Sequence, residues 1–193
     1  MDTGQRAAST ARALAEQADL RAVVFVEGAS DHAALEVLVA RSGPAVHGVA
    51  VVPMEGFTGI GRFLATFGPA GRGLRLAGLC DEAEAPYMRR HIAAAGVDGS
   101  TFHVCHPDLE GELISALGVD GVERVLGTMG ELGSFRRFQR QPFHRDRPVA
   151  AQLRRFLGTR SGRKIAAARA LARALPPPER IPGPLAGVVA AVT

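Results

Sequence analysis

Five acidic residues stand where apolar runs of the chain give out. Glu27 closes "RAVVFVE", Asp81 closes "GLRLAGLCD", Asp108 and Glu110 follow "TFHVCHP", and Asp31 falls four positions after Glu27. Carboxylates gathered closely repel one another, since two unit charges roughly 4 Å apart interact by about 4 kcal/mol at an effective dielectric of about 20. Something cationic must hold such a group together. Oxygen donors without His or Cys partners favour Mg²⁺ or Mn²⁺ over zinc, and this many carboxylates suffice for a pair of ions. Gly28, directly after Glu27, suits a tight turn in which backbone approaches a metal or a phosphate. Each acid taken singly also reads as a turn former or helix cap, so their joint placement carries the chemistry.

The hydrophobic pattern supplies the elements that position these acids. Residues 21–28 read as a strand buried on both faces, followed by a helix over 30–43 with Ser30 as N-cap and Gly43 as its stop. Further strands are expected at 45–54, 73–81 and 101–110, with helices between them at 58–68 and at 85–96, the latter with Pro86 in its first turn. This alternation predicts an α/β fold with a mainly parallel four-stranded sheet flanked by helices. Ligands of such sheets bind beyond the carboxyl ends of the strands, where the acids collect. From residue 108 onward only helical patterns remain, over 108–117, 120–129, 132–140, 148–157 and 161–175. Residues 176–184 read as a rigid proline-rich connector, and 185–193 as an apolar segment that suits a helix or a strand.

At 193 residues the chain has the size of one domain. The reading divides it into an N-terminal helix over 1–20, an α/β core over 21–120 and a basic helical C-terminal extension over 121–193 packed on that core. No apolar run approaches the roughly 18 residues needed to cross a bilayer. Asp2, Glu16 and Asp19 break the transit-peptide pattern of the leading segment, and a cytoplasmic protein is expected. Cys80 and Cys105 each close a strand-like run, which suits buried reduced thiols, although strand-end neighbours could also approach each other. Charge is distributed unevenly: residues 1–135 carry 10 Arg against 17 Asp or Glu, whereas 136–180 carry 13 Lys or Arg against 2 acids. A dense positive surface attracts polyanions and steers them toward a neighbouring site, while a solvated helical face explains the same charges without function.

The stretches "VVFVEGASDHAALEVL", "LAGLCDEAEA" and "HPDLEGELISALG" resemble the Toprim domain, a Rossmann-like fold shared by topoisomerases, primases and the OLD (overcoming lysogenization defect) nucleases. The resemblance covers roughly residues 20–175 and is strongest to the OLD type. It implies that Glu27 acts in general acid or base chemistry or binds metal, and that Asp81 binds metal. Toprim proteins carry Asp-x-Asp after the third strand, whereas here Ala83 takes the second position between Glu82 and Glu84. Topoisomerase-like or primase-like chemistry is less expected for that reason. By similarity to the OLD nucleases, Asp31, Asp108 and Glu110 complete the metal-binding set, and a lysine on a late helix matches Lys164. Lys164 is the only lysine in the chain, so a compact ammonium is retained where every other basic position is Arg.

The expected activity is metal-dependent hydrolysis of DNA phosphodiester bonds by a two-ion mechanism, an endonuclease or nickase with Lys164 supporting charge on a phosphoryl oxygen. The basic helices would hold the backbone, with Arg136, Arg137, Arg140, Arg160 and Arg163 as candidates. Phe135, Phe138 and Phe143 could stack bases of a single strand or fill the core. OLD nucleases usually carry an ATPase domain, and no Gly-Lys-Ser/Thr loop occurs here, so either a separate ATPase partner supplies that activity or the module works alone, and a homodimer is admitted. The rival reading is a non-catalytic Toprim-like module that binds nucleic acid or docks a partner, which Ala83 favours. Dinucleotide binding lacks its G-x-G-x-x-G, and His32, His47, His91, His103, His106 and His144 show no metal-ligand spacing.

Overall fold

The computed structural model describes residues 9–10, 13–14, 16–54, 56–176 and 181–193, leaving aside the side chains of 44 and 45. The helix expected over 1–20 lies largely outside the described residues, as do residues 177–180 of the proline-rich connector. Four strands, β1 (Ala22–Val26), β2 (Val49–Pro53), β3 (Arg75–Asp81) and β4 (Phe102–Cys105), form one sheet in the order β2-β1-β3-β4. Every neighbouring pair is parallel. Parallel strands need a crossover, and helices α1 (Ala29–Arg41), α2 (Ile60–Phe67) and α3 (Ala85–Ala94) lie along the three connections. The chain runs outward from β1 to β2 and then returns past β1 to β3. The order therefore reverses at β1, which puts the switch point at the carboxyl ends of β1 and β3.

All five residues of β1 are buried, which is why the strand reads as an unbroken apolar run rather than an alternating one. Val24, Val26, Ala77, Leu79 and Cys105 face one side of the sheet, packed with α1, α4 (Leu109–Thr128), α7 (Ser161–Ala174) and α8 (Gly183–Val192). Val23, Phe25, Leu76 and Cys80 face the other, where Phe63, Phe67, Met88 and Ile92 of α2 and α3 cover them. Cys80 pairs with Val104 and Cys105 with Asp81, so the two thiols point to opposite faces; both are free and buried. Burial pushes the Cys80 thiol up to about 12, far from the reactive range.

The remaining helices are α5 (Leu132–Gln139) and α6 (Val149–Leu157). The two helices expected over 108–117 and 120–129 are the two halves of α4, parted at Gly118, whose φ of 68° and ψ of 166° are not helical and fall where a side chain is strained. The undecided segment 185–193 is helical. Its residues Leu185, Val188 and Val192 are buried in the same cluster as Val24 and Leu79, so α8 seals one face of the sheet. Gly187 makes that approach possible, because a Cβ there would meet the His103 ring of β4 at 2.3 Å.

Candidate functional site

The strand ends position the acids one by one. Glu27 follows the last residue of β1, and its carbonyl accepts a hydrogen bond from Gly56 N at 3.1 Å, tying the loop after β2 to the same rim. Gly28 is the N-cap of α1, so Ser30, expected there, sits instead in the first turn and is buried. The turn makes no use of a glycine's freedom: Gly28 is extended (φ −147°, ψ −174°), and a Cβ would meet only Asp31 Oδ2 at 3.7 Å. What the turn does is present Gly28 N–H to Asp31 Oδ2 at 3.0 Å, which fixes the carboxylate over the helix start. Asp81 ends β3 and leads into a 3-10 turn over Glu82–Glu84 that carries Ala83.

Asp108 and Glu110 begin α4 and are used differently. Asp108 is the N-cap, accepting from Gly111 N at 2.9 Å through Oδ1, while Oδ2 accepts from Arg154 Nε at 2.7 Å and Nη2 at 2.6 Å. Both its oxygens are engaged. Glu110 is buried, its Oε1 has no hydrogen-bond partner, and its Oε2 lies 3.5 Å from Lys164 Nζ. Lys164 stands near the start of α7, a helix rich in alanine on its buried side, where Ala167, Ala168 and Ala172 let it lie close on the rest of the domain. The lysine thereby reaches the acids from the helical third of the chain.

Glu27, Gly28, Ser30, Asp31, Gly56, Asp81 and Lys164 line a cleft of about 370 Å³. A larger cavity of about 670 Å³ is lined by Asp108, Glu110, Lys164 and three arginines, Arg147, Arg154 and Arg155. Lys164 belongs to both, so an acidic compartment and a basic one adjoin across a single ammonium.

The acids are held well above their ordinary range. Burial raises Asp31 to about 6, with the charge of Asp81 adding to it; burial likewise raises Asp81 to about 6, helped by Glu27 and Asp108. Glu110 rises to about 7 by burial, even though Lys164 opposes the shift. Glu27 is raised by burial and by the charges of Asp31 and Glu84. Partial burial pulls Lys164 down, but Glu110, Asp31 and Asp81 outweigh it and leave it raised. A set of carboxylates this short of positive charge has the chemistry of a hard-cation site, and the unpartnered Glu110 Oε1 is a free oxygen donor within it. Among the described residues, however, no three acidic, His or Cys side chains stand grouped closely enough to hold an ion as they are.

The arginines nominated from sequence lie elsewhere. Arg136 is paired with Glu123 at 2.5 Å, Arg137 with Ser134 Oγ at 3.1 Å, and Arg140 and Arg160 are exposed at the end of α5 and the start of α7. None of them lines either cavity. Arg163, expected at the DNA backbone, is instead turned inward: its side chain is only 6% exposed, bridges to Glu131 at 3.1 Å and lies 4.1 Å over the Phe156 ring. It is a packing residue, turned inward by α7. The arginines that do reach the site, Arg147, Arg154 and Arg155, went unnoticed in the sequence. Arg154 and Arg155 lie on the face of α6 that carries Ala151, three and four positions on, whereas Arg147 precedes the helix and is brought to the cavity by the loop before it. Of the three phenylalanines, Phe135 and Phe138 are buried in the core and Phe143 is 64% exposed.

The chain resembles solved structures over nearly its whole length. It matches the C-terminal region of the Burkholderia pseudomallei OLD protein with a TM-score of 0.61 at 18% identity, covering 90% of this chain and 97% of that one. The C-terminal region of the Xanthomonas campestris pv. campestris OLD protein matches with a TM-score of 0.60 at 19% identity, covering 90% and 94%. The fold is that of the OLD C-terminal region. Because 90% of this chain is covered, the OLD-type fold takes in most of the helical third as well as the sheet. No protein-family model matches the chain, and no curated protein does.

Proposed function

We propose that the chain hydrolyses DNA phosphodiester bonds in a metal-dependent reaction. The observation that carries this reading is the set of Glu27, Asp31, Asp81 and Glu110 at the switch point of the sheet, facing the only lysine of the chain. Mg²⁺ or Mn²⁺ held by these four carboxylates, as one ion or a pair, would supply water activation and neutralise phosphate charge. Glu27, partly exposed and with a raised pKa, is placed to take the proton of the attacking water. Lys164, shared by both cavities, stabilises charge that develops on a phosphoryl oxygen. Asp108, with both oxygens engaged, positions Arg154 rather than binding the ion. Arg147 and Arg155 draw in the flanking phosphates. A separate ATPase partner, a homodimer and a cytoplasmic setting belong to the same proposal.

A supercoiled-plasmid nicking assay with Mg²⁺ or Mn²⁺ tests it. Wild-type protein should convert the plasmid, and Asp81→Ala and Lys164→Ala should each lower conversion by about 100-fold or more; wild-type activity in both variants would overturn the reading. The spacing of the carboxylates, with no three of them grouped for an ion among the described residues, together with Ala83, favours a second reading as a non-catalytic nucleic-acid-binding module. Titration with Mn²⁺ separates the two. Under the second reading no saturable binding occurs at millimolar metal, or Glu27→Ala leaves binding unchanged.

A further inference from the structure

The loop between α5 and α6 presents an aromatic ring to solvent and is built to keep it there. Phe143 is 64% exposed, one of only two large apolar side chains so placed among the described residues. Beneath it the His144 ring, itself buried, lies 5.0 Å edge-on to Phe143 and stacks on Phe138 at 3.8 Å. Gln152 of α6, also buried, donates through Nε2 to the carbonyls of His144 at 2.9 Å and Arg147 at 2.8 Å, while its Oε1 accepts from Gln139 at 2.7 Å. A buried amide with its donors spent on loop carbonyls leaves that loop little freedom to bury Phe143 instead. The Arg147 guanidinium stands 4.4 Å over the Phe143 ring and donates to the Phe143 carbonyl at 3.2 Å.

Arg147 also lines the basic cavity, together with Arg154, Arg155 and Lys164. Arg154 is committed to Asp108, but Arg147 and Arg155 have no acidic partner among the described residues. A flat, exposed ring carrying the Arg147 guanidinium, which lines the adjoining cavity with Arg155, matches two parts of one ligand, a base with an exposed π-face and the phosphate attached to it. A base stacked within a duplex hides both faces, so only an unpaired nucleotide offers that combination.

We propose that Phe143, Arg147 and Arg155 form a subsite for an unpaired nucleotide of single-stranded DNA, the ring stacking its base and the guanidinium groups holding its phosphate. This rests on the nuclease reading only for its consequence: it names the substrate class as DNA with a single-stranded segment beside the acidic cleft. The binding itself needs no hydrolysis.

The test is fluorescence anisotropy with one labelled oligonucleotide, single-stranded or annealed to its complement, in buffer free of divalent ions so that nothing is cut. Phe143→Ala should weaken single-strand binding by about 10-fold and leave duplex binding nearly unchanged, with Phe143→Trp restoring the difference. Arg155→Ala should weaken both and lower the slope of log affinity against log salt by about 1. Because Phe143 is exposed, its removal opens no cavity and the variant stays folded. Unchanged single-strand binding in Phe143→Ala, or an equal loss on both forms, overturns the subsite; plasmid nicking that persists alongside would leave the nuclease reading standing. Single-strand preference with no nicking would do the reverse.

Discussion

The helical third of the chain and the strand ends that meet at Lys164 treat charge in opposite ways. In the basic helices four arginines are balanced: Arg136 by Glu123, Arg163 by Glu131, Arg154 by Asp108 and, further along α7, Arg169 by Glu36. At the strand ends Glu27, Asp31, Asp81 and Glu110 share one ammonium, and burial raises each of them. Paired charges orient helices and lock packing, whereas unbalanced ones hold free energy that a ligand can release. The difference separates the arginines that build the domain from the few charges available to substrate.

The largest effect should come from breaking the junction itself. Lys164→Ala removes the ammonium that both cavities share, and plasmid nicking should fall by about 10²- to 10³-fold, the range for losing one preorganised charge donor at a reacting oxygen. Loss of less than about tenfold would move the lysine out of the chemistry.

Next in size is a change on the balanced side. Arg163→Ala should lower unfolding stability by about 2 to 3 kcal/mol, since Glu131 loses its partner and the Phe156 ring its cover. Denaturant melts read this directly, and DNA binding per folded molecule should hardly move. A large binding defect with unchanged stability would restore Arg163 as a contact residue.

Neutralising an acid should act with the opposite sign. Glu110→Gln keeps the shape of a buried side chain while removing a charge that burial disfavours, so the metal-free protein should gain about 1 kcal/mol at pH 8. Destabilisation instead would show the Glu110–Lys164 pair to be worth more than the burial of the charge.

The same crowding sets a dependence on pH. The folded-state pKa values of Asp31, Asp81 and Glu110, at about 6, 6 and 7, lie above their ordinary values near 4, so the folded protein holds extra protons between those limits. Stability should therefore fall as pH rises from about 4 to about 7.5 and level off above, lowering Tm by about 10 °C. Millimolar Mg²⁺ at pH 8 should recover it, and Asp31→Asn should flatten the profile. A stability that climbs across that window would mean that the acids are not crowded.

Much of this was open to reading from residues alone, and the exceptions have identifiable causes. The four strands lie inside the ranges expected because parallel strands buried on both faces leave unbroken apolar runs such as 22–26. Residues 185–193 were undecided because an apolar segment buried on several sides shows no period. Periodicity also announces which face of a helix is apolar without saying what it meets, so nothing in "RPVAAQLRRFLG" told that Arg154 reaches Asp108 across 46 positions of chain. The inward turn of Arg163 is hidden from local pattern for the same reason, since its rotation toward Phe156 follows from how α7 sits on its neighbours.

The sequence by itself determined the alternation of strands and helices, the acids at the strand ends and the uneven distribution of charge, because each depends on neighbours within a few positions. Only the tertiary structure decided that Lys164 closes the acidic cleft, that Phe143 alone of its group stays in solvent, and that α8 covers the sheet. Those outcomes arise from helix packing between segments far apart in the chain, where close contact of small residues and the pairing of distant charges select one arrangement among many that local pattern permits.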